Sequence, residues 1–129
     1  MTPNKEDYLK CIYEIGTEVE KISNKEIASR MQVSPPAVTE MIKRMVYEGL
    51  LVKDKTHGYL LTDLGSQLVS DLYRKHRLIE VFLLEKLDYT TEEVHEEAEV
   101  LEHTVSEHFI DRLDHMLGNP KTCPHGGTI

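Results

Sequence analysis

The sequence predicts a mainly α-helical fold with a small β-hairpin wing: a winged helix-turn-helix followed by a helical, histidine-rich domain. Three observations carry this. Apolar residues recur at helical spacing through most of the chain. A tight connection, Gln32-Val33-Ser34, separates two short helical stretches, and two apolar runs around a Gly-containing turn follow them. The acidic and imidazole side chains are concentrated in the second half.

A chain of 129 residues makes one domain or two small lobes sharing a core. No run of eighteen apolar residues exists, and the N-terminus lacks the apolar core of a signal peptide, so no membrane partner is expected. Cys11 and Cys123 are too few for a disulfide scaffold, which makes a cytoplasmic location the expectation. The net charge of −8 is uneven. Residues 1–65 carry nine Lys/Arg and ten Asp/Glu, a balance of −1, and residues 66–129 carry six and thirteen, a balance of −7. Six of the seven histidines lie in the second half, so the two halves are expected to do different jobs.

The first helix is expected over 5–16, with Tyr8, Ile12 and Ile15 on one face and Cys11 beside them as a small core residue. Ser23 or Asn24 caps a second short helix through Ile27, Ala28 and Met31. Ser34 caps a third, whose prolines at 35 and 36 suit a first turn, where amide donors are not needed. Val38, Met41, Ile42 and Met45 form its buried stripe, and Gly49 ends it. Residues 50–54 and 59–61 form the hairpin.

This is the order of a winged DNA-binding module, in which the helix after the tight turn enters the major groove N-terminus first. Ala37, Thr39, Glu40, Lys43, Arg44 and Tyr47 are left on its outer face. Lys43, Arg44, Lys53 and Lys55 are expected to meet phosphates, with His57 at the hairpin tip beside them. The competing reading is a small α+β unit whose helix-turn-helix is only a structural corner.

Thr62 or Asp63 caps a long helix over about 64–87. Its apolar residues, Leu64, Leu68, Leu72, Leu78, Ile79, Phe82 and Leu83, are expected to pack against the winged module or a partner. It carries His76 and Glu80 at i and i+4. After a turn and cap at 88–91, a helix to about 104 holds His95, Glu99, Glu102 and His103 on one face. The adjacent stripe of Val94, Ala98, Leu101 and Val105 packs inward. Ionised carboxylates at the edge of a core are costly unless something positive neutralises them, and a divalent metal does so. A last helix holds Phe109, Ile110, Leu113 and Leu117 and ends at Gly118-Asn119-Pro120. His108 and His115 face solvent. The tail reads as loop, and Cys123 with His125 is a Cys-x-His pair that either binds metal or is a free thiol and a surface imidazole.

Together, the array from Arg74 to Glu80, the His95–His103 run and Gly118-Asn119-Pro120, behind a winged module, resemble the diphtheria toxin repressor family of metal-dependent transcriptional repressors, its manganese-responsive branch in particular. The resemblance implies a winged DNA-binding domain over 1–63 and a helical dimerisation and metal-binding domain over 64–129. Many members continue into a small β-barrel domain, so a C-terminal truncation is an expectation. His76, Glu80 and His95 match one metal site of the family. Asp7, Glu99, Glu102 and His103 match the other, which links the first helix to the dimerisation helices. Cys123 and His125 match a segment that completes a site near Glu80.

Iron-responsive members carry Met at the position of Asp7 and Cys at that of Glu99. Oxygen in place of sulfur fits Mn2+, while the thiolate of Cys123 argues for Zn2+ or Fe2+. Ser34 and Pro36 match positions that contact bases or thymine methyls, with Thr39 or Ala37 adding methyl contacts. Glu40 replaces a Gln, and a carboxylate accepts from cytosine N4, so the operator preference should differ. The implied protein is a homodimer on a palindromic duplex, its recognition helices about 34 Å apart.

Two other readings compete. A metalloenzyme is disfavoured because His95-Glu96-Glu97-Ala98-Glu99 lacks the second His of a zincin motif, and only one Glu-x-x-His is present. The other is a winged-helix regulator responding to a small organic ligand.

Overall fold

The computed structural model describes residues 4–121. The tail pair, Cys123 and His125, lies outside the described residues. The element order is α1 (Lys5–Glu18), α2 (Asn24–Met31), α3 (Pro35–Tyr47), β1 (Leu51–Asp54), β2 (Gly58–Leu61), α4 (Asp63–Lys86), α5 (Thr91–Leu101) and α6 (Glu107–Met116). The chain divides into two compact units, residues 1–69 and 70–129, with the division inside α4.

In the first unit every helix start is fixed by a side chain. Asn4 and Asp7 form a capping box at α1. Ser23 caps α2, and Ser34 caps α3 ahead of the two prolines. Gln32 takes the left-handed conformation that ends α2 and opens the tight connection. Leu9, Ile12, Ile15, Ile27, Val38 and Met45 are fully buried between the three helices. Leu9 completes the α1 face three residues before Ile12. Met41, expected inside, is only half-buried. Burial pushes the Cys11 thiol up to about 11, in keeping with a small core residue.

The wing is a two-stranded antiparallel hairpin pairing Leu51 with Leu61 and Asp54 with Gly58. Asp54 Oδ2 accepts from the amides of Thr56 and His57 and lies 2.8 Å from His57 Nδ1. Gly58 has φ +78°, and a Cβ there would fall 2.0 Å from the carbonyl oxygen of Ile22. That approach, with the Ile22 amide donating to His57 O, ties the wing to the segment before α2.

Thr62 accepts from the Gly65 amide and so caps α4. Leu64, expected to pack against the winged module or a partner, is 54% exposed in the single chain. The first turn of α4 meets the hairpin through Gly65, whose missing Cβ admits the Leu50 carbonyl, and Leu64 lies about 100° round the helix from it.

In the second unit Leu78, Ile79, Leu83, Val94, Ala98, Ile110 and Leu113 form the core, with Phe82, Leu101, Val105 and Leu117 packed against it. The inward stripe of α5 is therefore present. The helix itself stops at Leu101, not near 104. The Thr104 hydroxyl bonds back to Leu101 O, and Ser106 must turn extended to cap α6. Arg74 reaches Glu107, Asp111 and Asp114, and Lys75 donates to Val105 O, so α4 is braced to α6 by one row of contacts. Burial opposes the charge on Arg74, but its two aspartate partners outweigh this and raise its pKa.

Candidate metal centre

Among the described residues, the second unit buries charge at one place. His76 and Glu80, one turn apart on α4, are 6% and 1% exposed, and Glu102 at the end of α5 is 0% exposed. Val94 and Ala98 press α5 into the core, which carries His95, at the surface end of the cluster, over α4. His76 Nε2 lies 3.2 Å from Glu80 Oε2 and 3.1 Å from His95 Nδ1, and His95 Nδ1 lies 3.7 Å from Glu80 Oε2. First-row divalent ions hold N and O ligands at about 2.0–2.2 Å, which sets neighbouring donors roughly 3.0–3.5 Å apart. The triangle has those dimensions.

Its chemistry fits as well. Glu102 Oε1 lies 2.7 Å from His76 Nδ1. A carboxylate only accepts, so Nδ1 is the donor, and in the neutral ring Nε2 carries the lone pair. That lone pair faces a carboxylate oxygen and a second imidazole nitrogen. Two nitrogens and a carboxylate oxygen that converge at the edge of a core need a proton or a cation among them. His76, Glu80 and His95 are one of the groups of the described residues able to hold an ion, and His76, Glu99 and Glu102 are another.

Glu99 Oε1 sits 3.4 Å from His95 Nε2 and 4.0 Å from His76 Nδ1. Glu102, expected with Glu99 and His103, is thus brought against His76 of the other expected set. His103 follows Glu102 in the turn after α5. Asp7 belongs to the first unit, where its Oδ2 accepts from the Asn4 amide at 2.9 Å. His108 and His115 are exposed, as expected.

On the winged unit, Ser34, Pro36, Thr39, Glu40, Lys43 and Arg44 are exposed on or beside α3, and Ala37 is half-buried. Ser34 Oγ accepts from the Ala37 amide and Thr39 Oγ1 donates to Pro35 O, so both hydroxyls are held against the helix start. Lys53 and Lys55 line an open cleft with Lys21, Ser23 and Asn24. Sequence reasoning omitted Lys21; its place two residues before the α2 cap was the available signal. His57, expected to join the phosphate contacts, has its ring held by Asp54.

Comparison with known proteins covers both units. The family model described as "Iron dependent repressor, N-terminal DNA binding domain" matches residues 1–59. The one described as "Iron dependent repressor, metal binding and dimerisation domain" matches residues 62–129. The iron-dependent repressor IdeR of Mycobacterium bovis is 38% identical over 124 residues, 96% of this chain and 54% of the relative. The chain thus spans about half the length of the first curated relatives it matches.

Among solved structures, ScaR with bound Zn2+ is 75% identical over 98% of this chain and 59% of that one, with a TM-score of 0.92. The manganese regulator SloR is 66% identical, covering 100% of this chain and 60% of that one, with a TM-score of 0.86. Among the described residues, no helix is long and apolar enough to cross a membrane. With one family model over the winged unit and its companion over the unit that buries His76, Glu80 and Glu102, the chain belongs to the iron-dependent repressor family, that of the diphtheria toxin repressor.

Proposed function

We propose that this protein is a Mn2+-activated repressor that binds a palindromic operator as a homodimer and controls metal-uptake genes, and that it is not an enzyme. The observation that carries the reading is the donor triangle of His76, Glu80 and His95, two of its members buried, with Glu102 against the far nitrogen of His76. We assign Asp7, Glu99, Glu102 and His103 to the second set, and Cys123 and His125 to the neighbourhood of Glu80. On this reading Asp7 is a ligand as well as a capping residue. The divisions 1–63 and 64–129 separate the DNA-binding from the dimerisation and metal-binding work.

Among hard and soft donors, Asp7 and Glu99 favour Mn2+, and the naming of SloR as a manganese regulator supports the same ion. Cys123 is the residue that favours Zn2+ or Fe2+ instead, and ScaR has been crystallised with Zn2+. A bound divalent ion supplies positive charge. Two per chain would take the formal charge from −8 to about −4, which eases approach to phosphate. Ser34, Pro36, Ala37, Thr39 and Glu40 would read bases, while Lys43, Arg44, Lys53 and Lys55 would hold phosphates.

The test is a gel-shift titration with Mn2+, Fe2+ and Zn2+ on an operator-bearing fragment. Mn2+ should tighten binding by wild type and not by Asp7→Ala. Equal affinity for both proteins at every metal concentration would reject the reading.

A further inference from the structure

We propose that the cleft between the wing and the start of α2 is a seat for the phosphate backbone of duplex DNA, in which Lys21 and Asn24 act beside Lys53 and Lys55. The inference rests on the reading above that the chain binds an operator. It adds a second grip on that DNA, apart from the recognition helix.

The cleft has a volume of about 610 Å3, and its walls include Lys21, Asn24, Lys53, Asp54, Lys55 and Tyr59. Other basic groups of the same unit are matched by acids: Lys5 meets Glu48, and Arg30 meets Glu18 and Glu26. Lys21, Lys53 and Lys55 take no ion pair among the described residues. Asp54 is the acid on the cleft wall, and its Oδ2 already accepts from the amides of Thr56 and His57 and lies against the His57 ring. Three lysines against one engaged carboxylate leave the cleft positive.

The wing holds one side of the cleft in register. Lys53 pairs with Tyr59 across the ladder, so both side chains stand on one face of the hairpin. The Tyr59 hydroxyl donates to Asn24 Oδ1 at 2.5 Å, which ties the first residue of α2 to that face. An asparagine whose oxygen accepts has two N–H donors left on its nitrogen. The Ile22 amide donates to His57 O, so backbone also joins the two walls.

Ammonium groups and an amide N–H only donate, so the matching ligand is an anion whose oxygens accept. Free phosphate and the DNA backbone share that chemistry. The place in the fold favours the backbone. In a helix-turn-helix, the helix before the recognition helix crosses the phosphates, and the cleft opens at its first turn. Lysine contacts of this kind fix position and carry no sequence information.

The experiment uses the full chain with saturating Mn2+. Fluorescence anisotropy reads affinity for an operator-bearing fragment and for a random duplex from about 50 to 200 mM salt. It compares wild type, Lys21→Ala, Lys21→Arg, Tyr59→Phe and the triple variant Lys21→Ala/Lys53→Ala/Lys55→Ala. Lys86→Ala, an exposed site of the second unit, controls for net charge.

Lys21→Ala should reduce the slope of log affinity against log salt by about 0.9, and the triple variant by about 2.7. Over that fourfold salt range the triple variant should lose about 40-fold less affinity than wild type. Both duplexes should weaken by the same factor, so the specificity ratio should hold. Lys21→Arg and Lys86→Ala should keep the wild-type slope. Tyr59→Phe releases Asn24 and keeps every charge, so affinity should fall with the slope unchanged. Calorimetry should find Mn2+ uptake as in wild type throughout.

A wild-type slope in the triple variant would overturn the proposal. So would a loss confined to the operator, which would mean that the cleft reads bases. Inorganic phosphate separates the sources: phosphate that saturates the cleft by NMR, and that random duplex does not displace, would assign it to a free anion instead. Wild type that binds neither duplex with Mn2+ sinks the proposed function together with this inference. Tight operator binding with equal slopes in every variant sinks this inference alone.

Discussion

The two units treat charge in opposite ways. In the winged unit, the basic groups proposed to meet DNA stand in solvent: Lys43, Arg44, Lys53 and Lys55 are all exposed. In the second unit, His76, Glu80 and Glu102 are enclosed by core residues, and that unit also carries most of the net negative charge. A surface charge costs little and contributes little to stability. A buried carboxylate is costly, and it persists where something other than stability requires it. The winged unit is therefore organised for folding first, with binding residues added outside. On the proposed reading, the second unit gives up stability at its centre so that an ion can restore it.

The sharpest way to break this contrast is to damage each unit separately. Gly58→Ala places a Cβ against the Ile22 carbonyl and forces a left-handed conformation on alanine. It should cost about 3 kcal/mol, from overpacking and backbone strain together. Denaturant unfolding followed at the wing would measure this, and Mn2+ affinity should not change. A Gly58→Ala protein that lost metal affinity in proportion would show the units to be energetically inseparable.

Glu80→Gln is the converse. Metal-free protein should be at least as stable as wild type, since a buried charge has been removed. The part of the Mn2+ stabilisation that comes from the His76, Glu80 and His95 set, about 2.7 kcal/mol at a hundred times its Kd for wild type, should disappear. Thermal unfolding with and without Mn2+ reads both numbers. A metal-free Glu80→Gln that melts well below wild type would mean that the carboxylate stabilises the fold by itself.

The smallest effect concerns pH at the wing. The His57 amide, then its ring, then the Thr56 amide hold the Asp54 carboxyl below its ordinary range. A depressed folded value contributes stability above the unfolded carboxyl range, near pH 3.9, and loses it as pH falls through the folded value. Amide exchange at Thr56 and His57 should therefore accelerate on acidification, and Asp54→Asn should flatten that dependence. Identical pH profiles for the two proteins would remove Asp54 from the account.

Much of the winged unit was legible because its signals are local. Ser23, Ser34 and the prolines at 35 and 36 mark helix starts by chemistry that acts over three residues. The hairpin declared itself through Gly58 between two apolar runs. The proposed metal ligands were legible as types on a helical stripe, since His76 and Glu80 share one turn of α4.

What periodicity could not supply was the neighbour that each stripe meets. Glu102 falls beside Glu99 and His103 on any helical projection, yet its side chain ends against His76, a pairing that exists only once α4 and α5 pack. The end of α5 was misjudged because Ser106 competes for the backbone from the next helix. Helical spacing counts residues on a face and does not show that Gly65, beside Leu64, makes the close contact of the first turn of α4.

The row of acids around Arg74 has a further bearing on the candidate metal centre. Arg74 and His76 are about 200° apart around the same helix, so the side of α4 away from the imidazole is pinned to α6. A helix tied from behind rolls less freely, so on the proposed metal reading the 3.2 Å between Nε2 of His76 and Oε2 of Glu80 depends in part on how α6 holds the far side of α4.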